Sequence, residues 1–258
     1  MIVELVPQLI TVLWLVKASA TAPSLTMPGC QAFCGSVSIP YPFGIEETCY
    51  PYECPNGTVE KCYHDEWFEI TCNRSFEPPR PFLRKANLEV LNISLELQQV
   101  TVNNSIDSSC EHGSSWTSTD YTGTPFRFSN QNRFTVMGCE NNALMPSSSR
   151  VTEILAGCTS ICTNYIRKGC YGINCCQSSI PFGLDIYRVE TSGNTTAGCA
   201  YAFLVDTDWL PQGNLSTPPV VMEHAPVVME WMVPNTSLGD FTSYYCYRDT
   251  TRVNFLPV

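Results

Sequence analysis

The chain has 258 residues, of which 15 are cysteine and 15% are charged, and its formal net charge is -10. That length holds one or two domains with a real core, and so much cysteine points to an oxidising compartment rather than the cytosol. An acidic chain with no long Lys/Arg stripe is excluded as a nucleic-acid binder, and the low charge leaves surface hydration to something other than ionised side chains.

Residues Ile2 to Val16 are mostly apolar and are followed by Ala18-Ser19-Ala20. This predicts a secretory signal peptide over residues 1–20, although Glu4 stands where a basic residue is usual and Lys17 follows the apolar run. No other segment is expected to span a bilayer, because Pro218 to Pro234 is interrupted by Glu223, His224 and Glu230. Strands are predicted at Trp67 to Cys72 and at Leu91 to Leu97, where apolar and polar residues alternate, with a bulge or turn near Gln98-Gln99. Further strands are expected at Phe126 to Phe128, Phe134 to Met137, Leu184 to Val189, Ala200 to Val205 and Val227 to Val233. At most, Arg150 to Ala156 makes two turns of helix. The class is therefore all-β or β-rich, disulfide-stapled, with long irregular loops in two small modules.

A Ser/Asn-rich stretch marks the expected boundary between those modules. One is expected over residues 28–140, a linker over 141–149, a second over 150–247, and a tail over 248–258. Cys30, Cys34, Cys49, Cys54, Cys62, Cys72, Cys110 and Cys139 precede the linker and can pair among themselves. Cys158, Cys162, Cys170, Cys175, Cys176, Cys199 and Cys246 follow it, an odd number. Two short duplications are visible. Pro219-Val-Val-Met-Glu223 returns as Pro226-Val-Val-Met-Glu230, and Ile39-Pro-Tyr-Pro-Phe-Gly44 has an echo in Ile180-Pro-Phe-Gly183.

Asn-x-Ser/Thr sequons occur at Asn56, Asn73, Asn92, Asn103, Asn194, Asn214 and Asn235. Glycans there would supply the hydration that the missing charges do not. The Asn92 sequon is expected on the wet face of its strand.

Zinc is one reading of Cys30-x3-Cys34, Cys158-x3-Cys162 and Cys175-Cys176, but a secreted context favours disulfides, and adjacent cysteines usually bond to different partners. No metal site is expected. Hydrolytic signatures are missing: His64, His112 and His224 form no zinc-binding motif, and there is no Gly-x-Ser-x-Gly elbow. Glu46-Glu47 and Asp65-Glu66 are available as acid pairs, with solvated loop acids as the plainer reading. No catalysis is expected. Arg74, Arg80, Arg84 and Lys85 stand against a single Glu77 over residues 74–85, a basic stretch suited to a polyanion's carboxylates. The alternative is that these cations merely pair with surplus acids. Tyr41, Phe43, Tyr50, Tyr52, Tyr63, Trp67 and Phe68 offer rings for sugar stacking, with Phe43 and Phe68 expected in the core.

The series Cys30-x3-Cys34-Gly35-x3-Ile39-Pro40-Tyr41-Pro42-Phe43-Gly44, Cys49 and Phe68-Glu-Ile-Thr-Cys72 resembles the galacturonan-binding region of plant wall-associated receptor kinases. The likeness continues through Pro125-Phe126-Arg127-Phe128, Gly138-Cys139, Cys158-x-Ser160-x-Cys162, Cys175-Cys176-Gln177 and Cys199-x-Tyr201 to Trp231. The resemblance implies an extracellular module that contacts pectin in the cell wall. Combined with the local charge, it leads to the expectation that the ligand's carboxylates are met by Arg74, Arg80, Arg84 and Lys85, helped by Arg167-Lys168. Calcium bridging between protein and pectin acids is the alternative mode. A receptor kinase is the implied partner, and a soluble co-receptor or a protein- or peptide-recognising ectodomain is the rival function. In that family a cysteine tends to follow the position of Trp231, where this chain has Asn235-Thr236-Ser237, so Cys246 is expected as the free thiol. Cys54 and Cys62 are then expected to bond with each other.

Overall fold

The structure is a computed structural model and describes residues 25–27, 29–45, 61–109, 113–147, 153–163, 169–193, 199–209 and 223–233. Among these residues there is no helix, and the chain runs through seventeen strands. No helix among them is long and apolar enough to cross a membrane.

Strands β1 (Phe33–Cys34) and β2 (Val37–Ser38) form a short hairpin. The Pro-Tyr-Pro-Phe-Gly segment then leads into β3 (Gly44–Ile45), with Phe43 wholly buried. A Cβ at Gly44 would collide with the backbone of Cys62 and Tyr63, so glycine is what lets these two chain segments meet. β4 (Glu69–Asn73), β5 (Arg80–Leu83), β6 (Leu88–Ser94) and β7 (Gln99–Ser105) follow as an antiparallel meander. With β10 (Phe126–Phe128) and β17 (His224–Trp231) they build a seven-stranded sheet in the order β10-β17-β7-β6-β5-β4-β3, parallel only between β3 and β4.

Two smaller sheets complete the architecture. β11 (Asn132–Met137) lies between β14 (Cys175–Ser179) and β16 (Ala200–Asp206), and β8 (Asp107–Ser109) flanks β16. β12 (Asn141–Pro146) lies between β13 (Ile154–Ser160) and β15 (Ile186–Gly193), and β9 (Gly113–Asp120) flanks β15. All three sheets contribute to one buried cluster, from Phe43 and Ile70 through Phe134 and Met145 to Val189 and Trp231. At its centre the Phe43 ring meets Phe68 edge-on at 5.1 Å and Trp231 edge-on at 5.5 Å, geometries that aromatic quadrupoles favour. The buried Asn132 amide donates to Ser129 O and Val228 O and accepts from Val228 N, a side-chain substitute for strand pairing between β11 and β17.

Most expected strands are present, within a few residues of their predicted ends. The turn before Gln99 is there, with Gln98 at φ 52°. The alternation from Leu91 is broken, however. The ladder shifts between Val90 and Asn92, so Val90 enters the core while Leu91 stays 39% exposed. The two turns of helix expected over Arg150 to Ala156 are not formed in the described part, since Ile154 already opens β13; its side chains alternate outward and inward, and the strand ladder satisfies its backbone. Residues 141–146 of the expected linker are strand β12, paired on both sides, with Ala143 and Met145 buried. Strand pairing also crosses this stretch: β10 pairs with β17, and β11 with β14 and β16.

The described cysteines are disulfide-bonded. Cys30 bonds to Cys62, Cys34 to Cys72, Cys139 to Cys162, Cys158 to Cys176 and Cys170 to Cys175, and Cys199 is also disulfide-bonded. Adjacent Cys175 and Cys176 do take different partners, and sulfurs committed to these bonds are not zinc ligands. Two expectations are corrected. Cys62 pairs with Cys30 and not Cys54, because the approach of Gly44 to residues 62–63 brings this segment under the first hairpin. The two cysteine groups do not pair only within themselves, since Cys139–Cys162 joins them across β12. Cys49, Cys54, Cys110 and Cys246 lie outside the described residues.

Candidate polyanion-binding face

The local sequence decides which side chains the β4–β5 hairpin presents to solvent. In β4, Ile70 is in the core and Cys72 packs against it. Period-2 alternation therefore turns Glu69, Thr71 and Asn73 to the other face. In β5, Pro81 and Leu83 are buried, and Arg80, Phe82 and Arg84 take the outer side. The register sets Asn73 opposite Arg80 and Thr71 opposite Phe82, and Arg84 N donates to Glu69 O at 3.0 Å. On the next strand Glu89 lies opposite Phe82, and Asn103 of β7 opposite Glu89. One outer face thus collects Arg80, Arg84, Glu69, Glu89, Asn73 and Asn103, while Arg74 occupies the exposed turn between β4 and β5.

The four cations expected to meet a ligand are together on this face and its edge, and three of them already have carboxylate partners. Arg80 Nη1 lies 3.4 Å from Glu89 Oε1, Arg84 Nη1 contacts Glu69 Oε1, and Lys85 Nζ lies 3.3 Å from Glu66 Oε2. Among the described residues Arg74 has no such partner. Aromatic rings add to the pattern. The Arg80 guanidinium lies 4.4 Å from the centroid of Phe76, which itself stacks on Phe82 at 6.3 Å, and Lys85 Nζ is 4.6 Å above Trp67. Each of these cations is thus held between a ring and a carboxylate, and the basic stretch of sequence becomes nearly neutral in space.

The pairs differ in burial, and that decides what each can do. The Glu69 side chain is only 9% exposed against 59% for Arg84, so a buried carboxylate anchors a guanidinium that is itself mostly solvated. Glu89 is also largely covered and receives a further hydrogen bond from Asn103 Nδ2 at 2.9 Å. Glu66 is exposed, so its pair with Lys85 is a weak surface contact.

Other candidates have structural work. Asp65 Oδ1 accepts from Trp67 N at 2.7 Å in a tight turn, so the Asp65-Glu66 acids are a turn residue and an ion-pair partner. Phe43 and Phe68 are core, as expected, and Tyr63 is buried with them. Tyr41 is part-exposed with its hydroxyl 3.1 Å from His64 Nδ1, and His224 is the exposed first residue of β17. Asp120 is held below the usual carboxylate range by hydrogen bonds from the side chain and backbone of Thr122, and burial beside Phe128 pushes the Tyr121 hydroxyl up to about 12. Of the sequons, Asn92 is exposed on β6, Asn73 half-buried at the end of β4 and Asn103 half-buried on β7. Asn56, Asn194, Asn214, Asn235, Arg167, Lys168, Glu46, Glu47, His112, Tyr50 and Tyr52 lie outside the described residues.

Residue-by-residue reading missed Glu66, Glu69, Glu89, Phe76 and Phe82 as parts of this face. Two inward pairs, Ile70/Cys72 and Pro81/Leu83, flanking a turn were the available signal for the hairpin that joins them.

The segment that builds this face is the one that a known family model matches. The sequence model described as "Wall-associated receptor kinase galacturonan-binding" matches residues 30–104. In this region the chain is similar to the galacturonan-binding region of wall-associated receptor kinases. Among its curated relatives from Arabidopsis thaliana, wall-associated receptor kinase 2 is 34% identical over 83% of this chain and 28% of its own length. Wall-associated receptor kinase-like 4 is 30% identical over 80% of this chain and 28% of its own length, and wall-associated receptor kinase-like 1 is 30% identical over 78% and 29%. The chain thus spans less than a third of the length of these relatives. No solved structure matches it significantly.

Proposed function

We propose that this wall-associated-kinase-type chain is a non-catalytic, extracellular binding region for acidic cell-wall polysaccharide of the galacturonan class. The observation that carries the reading is positional: the family match over residues 30–104 contains β1 to β6, all but the last residue of β7, and all four cations of this face and its edge. Arg80 and Arg84 project to one side four residues apart, about 13 Å along a strand, which suits a polymer with repeated carboxylates better than a single sugar acid. The Lys85–Glu66 pair is exposed and worth only about 0–1 kcal/mol, so exchanging that internal carboxylate for a ligand carboxylate costs little, and Arg74 is open from the start. Arg74, Arg80, Arg84 and Lys85 are the proposed contacts, with Arg167-Lys168 as a second basic element. In a cell-wall setting the module would serve a receptor kinase, its own or a partner's.

A second reading has an observation of its own. Tyr171 is 89% exposed directly after Cys170 of the Cys170–Cys175 loop, where it bridges to Cys176, and Ile161, itself exposed, bridges to Ile173 of the same loop; together they offer an apolar surface of the kind that anchors protein contacts. One experiment separates the readings. Binding of the purified protein to de-esterified pectin is measured against salt, with and without calcium, for the wild type and for Arg74→Ala and Arg80→Ala. Direct pairing predicts binding that falls with salt and with each substitution. A strict calcium requirement would assign the contact to cation bridging, and no binding under any condition would leave the protein-recognition reading.

A further inference from the structure

Asn73-Arg74-Ser75 is both a sequon and the start of the cationic turn. Asn73 closes β4 on the outer face directly opposite Arg80, a cross-strand relation that sets Cβ atoms about 4.5–5.5 Å apart. Its Oδ1 accepts from Ser75 N at 2.9 Å, and its Nδ2, the atom to which a glycan is joined, has no hydrogen-bond partner among the described residues. The other two described sequons differ. Asn92 faces Thr101 and not a cation, and Asn103 Nδ2 already donates to Glu89. Asn73 is therefore the described sequon that directly faces a candidate ligand-binding cation.

We propose that N-glycosylation of Asn73 and binding of an acidic polysaccharide to Arg74 and Arg80 exclude one another, so occupancy of this sequon sets the fraction of protein able to take ligand. The proposal rests on the polysaccharide-binding reading above. The modification is the usual one of the secretory route: an N–H bond of the Asn73 amide gives way to an N–C bond to the anomeric carbon of an oligosaccharide. The lipid-linked diphosphate that carried the sugar leaves as the anomeric C–O bond breaks, and the proton goes to solvent. The first sugar then stands over the Arg80–Phe76 stack, where a ligand carboxylate would approach, and the bulky branches beyond it cover Arg74.

The test uses the full chain secreted from a glycosylating host and passed over immobilised de-esterified pectin. Peptide mass spectrometry then reads Asn73 occupancy in the bound and unbound fractions. Losing one charge-assisted contact lowers affinity by about tenfold or more, so the bound fraction should be strongly enriched in unoccupied Asn73. Asn73→Gln and Ser75→Ala, which abolish the sequon from either end, should both move the unbound protein into the bound fraction, while Asn92→Gln should not. Equal occupancy in the two fractions, or an Asn73 that is never occupied, would overturn the proposal and leave pectin binding standing. Failure of Asn73→Gln and of enzymatically deglycosylated protein to bind, with unchanged melting temperatures, would overturn the polysaccharide reading and the proposal with it.

Discussion

Removing Arg84 should destabilise the fold as well as any ligand contact, and the two effects can be separated. Arg84→Ala takes a countercharge from Glu69, whose carboxylate is almost fully covered, while the backbone bond from residue 84 to Glu69 O remains. Breaking a fully buried pair costs about 3–5 kcal/mol and an exposed pair about 0–1. Here one partner is buried and the other mostly solvated, so solvent screening lowers the figure to about 2 kcal/mol. In a domain of this size that corresponds to a fall of about 4–8 °C in melting temperature. Glu69→Gln should cost less, because it removes the buried charge itself. The double variant should recover about 1 kcal/mol relative to the sum of the two singles. Urea unfolding of the four proteins measures these terms through shifts in midpoint at constant slope. An Arg84→Ala midpoint equal to wild type, or strictly additive singles, would refute the view that Glu69 is held by Arg84.

Three further outcomes follow from the same geometry. Glu66→Gln releases Lys85 while keeping shape and should raise affinity for de-esterified pectin about threefold at low salt, the size of one exposed pair, and Glu89→Gln, which frees Arg80 from a largely covered carboxylate, should raise it by more; unchanged binding isotherms would contradict the exchange picture. Tyr121, with its hydroxyl pushed up to about 12, stays neutral in the folded state while the unfolded chain ionises near pH 10. Stability should therefore be intact below pH 10 and decline by about 2–3 kcal/mol as pH rises toward 12, and Tyr121→Phe should lose that component of the decline in alkaline unfolding curves. Replacing Cys34 and Cys72 by Ala opens a loop of sequence separation 38, and replacing Cys170 and Cys175 one of separation 5. Loop entropy predicts losses of about 4 and about 2 kcal/mol, a ranking that chemical denaturation of the two double variants can check.

The strands with clear apolar alternation or compact apolar runs, such as Phe126 to Phe128 and Ala200 to Val205, were legible because side-chain period alone marks them. β9, Gly-Ser-Ser-Trp-Thr-Ser-Thr-Asp, and β12, Asn-Asn-Ala-Leu-Met-Pro, were not. β9 is a sheet edge rich in hydroxyl residues, and β12 hides its signal in two small or flexible apolar residues, Ala143 and Met145, flanked by a buried Asn141. That Asn141 donates to Met137 O and Tyr201 O, a long-range role that a local window reads as loop chemistry. At the site, clustering of Arg74, Arg80, Arg84 and Lys85 could be read from their closeness in the chain. Their neutralisation could not, because Glu66, Glu69 and Glu89 reach them only through the hairpin and the next strand. Similarly, Cys62 was assigned to its near neighbour Cys54, whereas sheet geometry brings it to Cys30.

The central claim is tested most directly by the salt dependence of binding between the purified, Asn73-unoccupied protein and de-esterified pectin, read beside Arg74→Ala and Arg80→Ala. The account predicts binding without added calcium that weakens steadily as salt rises, with a weaker interaction and a shallower salt slope in each variant. Binding that is indifferent to salt and to both substitutions, or no binding at all, would contradict it.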